Sequence, residues 1–113
     1  MDLQSFSEFL KQKRDQRNLT NSKLALMARI SAVYLGEIIN NKKLPPDKKT
    51  QYALAEALQL SESERSIFYN LAACERQEIP VDIYDYLLES KSLLDYIRKL
   101  KAEKGQNKFD ENN

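Results

Sequence analysis

Thr20 and Ser31 stand eleven positions apart, and each is followed at once by a short run of apolar residues with helical spacing. Both are residue types whose side-chain oxygen satisfies the free amides at a helix start. After Thr20, Leu24, Ala25 and Ala28 share a face; after Ser31, Leu35, Ile38 and Ile39 do. The pattern predicts helices from Asn21 to about Ala28 and from Ala32 to Asn40, with only three residues between them. Helices so short and so closely joined cannot lie antiparallel over a useful length. They must cross steeply, which leaves the outer face of the second one uncovered.

The flanking segments surround this pair with further helices. Phe6, Phe9, Leu10 and Lys13 recur at helical intervals with Leu3 one turn earlier, so a first helix runs from about residue 5 to 17. Beyond the pair, "NNKKLPPDKK" is a loop: Asn41 tolerates the left-handed conformation that ends a helix, and Pro45-Pro46 forbids its continuation. Asp47 can cap a fourth helix to about Leu58, burying Tyr52 or Ala53 with Leu54, Ala57 and Leu58. Ser61 and Glu64 spell a capping box for a fifth, in which Ile67, Phe68, Leu71 and Ala72 form one stripe. Two Gly and three Pro in 113 residues agree with an all-α chain, and the length suits one domain or one small domain with an appendage.

Composition removes several classes of function. Without any His there is no imidazole base or imidazole metal ligand, a lone Cys74 cannot build a thiolate site, and Gly36 and Gly105 lie too far apart for a phosphate-binding loop. The acidic pairs Asp82 with Asp85 and Glu62 with Glu64 are ordinary solvent-facing residues of amphipathic helices. No enzyme, metal or cofactor is expected, and Cys74 is expected to be a buried or half-buried small hydrophobe. The N-terminus lacks the order of a signal peptide and no apolar run is long enough to span a bilayer, so the expectation is a cytoplasmic, nucleoid-associated protein. The formal charge of +1 hides an asymmetry: residues 1–60 carry +4 and residues 61–113 carry −3. The basic half is the one with the crossed pair, which points to a polyanion.

A steep crossing of this kind is the geometry of a helix-turn-helix, whose second helix fits a major groove about 12 Å wide. The order "LT-x-x-x-LA-x-x-A-x-I-S-x-x-x-L-x-x-I-x-N-x-K" over residues 19–42, followed by Pro-Asp and "LAEAL", resembles the phage-repressor-like, or xenobiotic-response-element, family of helix-turn-helix regulators. The likeness covers about residues 5–72 and implies a lambda-repressor-like five-helix domain that binds double-stranded DNA. "SESERSIFYNLAACERQEIPVDIYDYL" is similar to the continuation found in a subset of its small regulators. Three positions depart from the family's usual residues: Arg29 stands for Gly in the turn, Ile39 for Glu and Asn41 for Gly. Carried over by alignment, Ala32, Val33 and Glu37 face the bases, with Tyr34 able to reach a base edge or phosphate. None of the first three donates a hydrogen bond; Ala and Val suit thymine methyls and Glu37 the amino group of cytosine. Affinity must then come mainly from phosphates. Asn21, where the family often has Gln, and Ser31 can meet phosphates at helix starts, with Lys23, Asn40, Lys42 and Lys43 around them and Lys48 and Lys49 beyond.

After Arg76 the chain changes character. Pro80 suits a first helical turn; "VDIYDYLLES" sets Ile83 and Leu87 beside Tyr84 and Leu88; "SLLDYIRKLKAEKG" carries a seam of Leu93, Leu94, Ile97 and Leu100, ended by Gly105. These two helices either pack on their own domain or join two copies. A homodimer through Tyr84, Leu87, Leu88, Leu93, Leu94, Ile97 and Leu100 is the expectation, because two recognition helices read two half-sites. The organisation expected is a DNA-binding domain over 1–75, a dimerising extension over 76–105 and a disordered tail over 106–113. The alternative function is a protein-interaction module, such as an antitoxin or antirepressor component, using Val33, Tyr34 and Ile39 against a protein partner.

Overall fold

The computed structural model describes residues 4–112, with side chains described to residue 105. Leu3 lies outside that range. Seven helices follow one another: α1 (Phe6–Gln16), α2 (Asn21–Ala28), α3 (Ala32–Ile39), α4 (Lys48–Ala57), α5 (Glu62–Arg76), α6 (Val81–Glu89) and α7 (Lys91–Asn112). Among the described residues there is no strand. Two compact units result, Met1–Val81 and Asp82–Asn113. Val81, at the end of the first, is buried in its core.

α2 to α5 start directly after the caps expected for them, and α1 starts one residue from its expected beginning. Thr20 accepts from the Lys23 amide, Ser31 from Tyr34 and Asp47 from Thr50, at 3.0–3.1 Å. Ser5 with Glu8 and Ser61 with Glu64 both form complete capping boxes. The helix ends share a second device. Asn18, Arg29, Asn41, Gln59 and Gln77 all take φ of 50–61°, and none is glycine. At α1 to α4 the next amide reaches back five residues and the left-handed residue's amide reaches back three, as in Leu60 N to Ala55 O at 3.1 Å and Gln59 N to Glu56 O at 3.0 Å. This is the Schellman closure, and in three of those four cases the residue after the left-handed one is apolar: Leu19, Ile30 and Leu60 tuck inward as the helix ends.

The core of the first unit is built on aromatic contact. α1 packs on α3 and α5, and α2 on α3 and α4. The Phe68 ring lies 4.8 Å from Phe6 and 6.0 Å from Phe9, centroid to centroid, and Tyr52 meets Tyr69 edge-on at 5.4 Å. Leu10, Leu24, Leu35, Ile38, Leu54 and Leu58 close around them, all buried. Removing a fully buried Phe side chain such as Phe6 or Phe68 would cost about 3–5 kcal/mol. Across the α1–α5 seam, Lys13 Nζ holds Glu64 Oε2 at 2.6 Å, and the Arg17 guanidinium at the end of α1 donates to the Leu58 and Gln59 carbonyls at the end of α4, at 2.9 and 3.0 Å.

Several expectations are corrected. On α5 the buried arc is Phe68, Tyr69, Ala72 and Ala73, while Ile67 is 48% exposed, because the helix meets both α1 and α4 and turns its stripe toward them. On α4 the buried set is Gln51, Leu54 and Ala55, with Tyr52, Ala53 and Ala57 only partly covered. Cys74 is exposed rather than buried. α7 does not stop at Gly105 but continues to Asn112. The side chains past residue 105, on which the expected tail disorder bears, lie outside the described ones.

Candidate nucleic-acid interface

α3 buries Leu35 and Ile38, so with 100° per residue its opposite side presents Val33, Gly36, Glu37 and Asn40. Val33 is 74% exposed, Ala32 and Asn40 are exposed, and Gly36 and Glu37 are half-buried. The described hydrogen bonds and ion pairs do not involve the Glu37 carboxylate. Tyr34 and Ile39 lean against the core from the two flanks. Of Val33, Tyr34 and Ile39, only Val33 points away from the domain, so the three do not make one surface.

The turn that aims α3 depends on Arg29. At φ 61° its backbone reverses the chain, with Arg29 N donating to Leu26 O at 3.2 Å and Ile30 N to Ala25 O at 3.0 Å. Ile30 then packs on the core, and Ser31 caps α3 with its hydroxyl oxygen while remaining exposed. The Ser31 O–H is left to donate outward.

At the start of α2, Asn21 is held by a residue whose role no local pattern marks. Arg14, in the last turn of α1, donates from Nη1 to Asn21 Oδ1 at 2.6 Å and is itself braced by Asp15 at 2.7 and 2.9 Å. With its oxygen taken, the Asn21 amide offers its NH2 donors to whatever approaches. Lys23 is exposed two residues further on.

The basic loop after α3 is fastened at both ends. Lys42 N closes on Glu37 O at 2.8 Å, with Asn41 left-handed at φ 60°. At the far end Arg76 Nη1 donates to the Pro45 carbonyl at 2.9 Å, and Gln51, only 2% exposed, donates from Nε2 to the Pro46 carbonyl at 2.8 Å. Both prolines are buried, while Lys42, Lys43 and Leu44 between the two fastenings are exposed. Neither Arg76 nor Gln51 announces this role: the first lies 31 residues from its acceptor, and the second reads as a surface polar residue. Lys48 and Lys49 open α4, where cations oppose the helix dipole; the Asp47 cap offsets them, and its carboxyl is held below its ordinary range mainly by the Thr50 amide.

In the second unit, Tyr84, Leu88, Leu94, Ile97 and Leu100 are exposed and Leu87 and Leu93 half-buried. No helix among the described residues is long and apolar enough to cross a membrane, and none of their acidic or thiol groups cluster to hold a metal.

The closely joined and mutually packed α2–α3 pair, its uncovered outer face and the fastened basic loop define a helix-turn-helix class of domain. A family profile described as a helix-turn-helix domain matches residues 7–65. The chain belongs to this family, whose members of the phage-repressor, or xenobiotic-response-element, kind bind DNA. No curated protein matches the sequence.

Proposed function

We propose that the protein is a sequence-specific regulator of transcription, a repressor that occupies double-stranded DNA with α3 in the major groove and binds as a homodimer. The observation that carries this is the fastened loop beside α3: Lys42 and Lys43 are exposed on a backbone clamped by Arg76 and Gln51, where phosphates flanking the groove would lie. Asn21, Lys23, Ser31 and Asn40 contact the backbone on either side, with Lys48 and Lys49 beyond. Together they fix the register that α3 needs.

Recognition then relies on few groups. Ala32 and Val33 pack on thymine methyls, and Glu37 accepts from a cytosine amino group. Tyr34, which leans on the core from the flank of α3, contacts a phosphate in this reading rather than the base edge that was its alternative. The divergence of Val33, Tyr34 and Ile39 weighs against the same helix serving as a protein-docking surface. Dimerisation through Tyr84, Leu87, Leu88, Leu93, Leu94, Ile97 and Leu100 would supply the second half-site, and the exposure of five of these on a single chain supports it.

Selection of bound sequences from random duplex DNA tests the proposal. An inverted repeat should be enriched, with half-site centres about one helical turn or a multiple of it apart. Absence of any enriched sequence would overturn it.

A further inference from the structure

Gly36 is the fifth residue of eight in α3, where a glycine costs about 1 kcal/mol of helix stability relative to alanine. The chain's own structure does not require it. Its φ is not positive, it does not end the helix, and a Cβ built on it meets nothing within 4 Å beyond its chain neighbours and the backbone of its own helix. The space that this Cβ would fill opens outward, on the face shared by Val33, Glu37 and Asn40. Val33, one turn earlier on the same face and 74% exposed, is the apolar side chain that precedes it there. The absent methyl therefore leaves a shallow notch floored by helix backbone, with the Val33 hydrocarbon one turn away on the same face.

We infer that Gly36 is a specificity-determining residue whose notch admits a thymine 5-methyl group. Of the groups that base pairs expose in the major groove, the thymine methyl is the apolar one, so it alone gains by leaving water against Val33. Glu37, beside the notch, disfavours electronegative base edges there and accepts from an exocyclic amine on the neighbouring pair. This inference rests on the DNA-binding reading above and assigns to it a base and a position.

The test uses the full-length chain and the operator recovered by selection. Each thymine is replaced in turn by deoxyuridine, which lacks the methyl. One position per half-site should weaken wild-type binding by about tenfold, the scale of a single good base contact. Gly36→Ala should melt at a higher temperature, lose about tenfold in affinity for the parent operator, and become indifferent to deoxyuridine at that position, since contacts that are coupled fail to add. Its binding to random duplex at the same salt should be unchanged. Gly105→Ala, also in a helix with open space around it, serves as the control and should leave operator binding unaltered. If Gly36→Ala binds the operator as tightly as wild type, or remains sensitive to the same deoxyuridine, the inference is overturned while the DNA-binding reading stands. If wild type selects no operator at all, both fall.

Discussion

Gln59 offers a direct measure of what the glycine-free helix ends cost. It closes α4 at φ 50°, its side chain is exposed, and the bonds that hold the turn are made by backbone: its own N–H to Glu56 O, and its carbonyl accepting from Arg17. Gln59→Gly removes no bond that the native turn uses. A side chain in this conformation brings its Cβ against the following carbonyl, at roughly 1–2 kcal/mol. Glycine gives that back but loses about 0.4–1 kcal/mol through the greater freedom of its unfolded chain. The net expectation is a stabilisation of about 0.5–1 kcal/mol, which for a unit of this size raises the melting temperature by roughly 3–6 °C. Urea denaturation followed by far-ultraviolet circular dichroism should show the midpoint rising with an unchanged slope. Asn18→Gly is the internal comparison, because asparagine already tolerates φ of 57°, and its gain should be near zero. A lower midpoint for Gln59→Gly, or an equal gain at Asn18, would refute the reasoning.

Three further outcomes follow from the same contacts. Replacing Lys42 and Lys43 by Ala should weaken binding to all duplexes by a similar factor and make the slope of log affinity against log salt shallower by about 0.9 per lost phosphate contact; an unchanged slope would place these lysines off the DNA. The Glu64 carboxyl is lowered from 4.5 to about 2, chiefly by the Lys13 ammonium and then by the Ser61 amide. Because the folded form holds its proton less tightly than the unfolded one, this contribution is whole above about pH 5 and fades as pH falls toward 2, so Glu64→Gln should flatten the acid limb of a stability–pH profile. Finally, Ile97→Glu places a charge on an exposed position of α7: sedimentation should find the parent chain dimeric and the variant monomeric with unchanged helicity, and a monomeric parent would sink the dimer proposal.

What was legible in the sequence was local. Thr20, Ser31, Asp47 and Ser61 act within three residues of themselves, so their chemistry can be read directly, and with them the crossed pair and the outward face of α3. Asn41 could be assigned its left-handed turn because asparagine is suited to it, whereas Gln59 and Gln77 carry no such mark. The stripe on α5 was misplaced because the periodic pattern does not say which neighbours a helix meets: Tyr69, turned toward Tyr52 on α4, displaced Ile67 from the core. Gln51 was hidden by its polarity, since its burial makes sense only once the Pro46 carbonyl is seen above it. Arg14 and Arg76 looked like solvated charges, and what they hold lies on other elements. The candidate contacts were thus visible as residues, while the supports that aim them were not.

The clamps on Pro45 and Pro46 change when the ordering of the loop occurs. A free loop of this length would lose roughly 1–2 kcal/mol of backbone entropy per residue on docking, and that loss would count against every encounter with DNA. Here Arg76 and Gln51 impose it during folding. On the proposed reading the protein would meet DNA with its lysines already posed, so association would need no loop rearrangement, and the difference between one duplex and another would be left to how long the complex lasts.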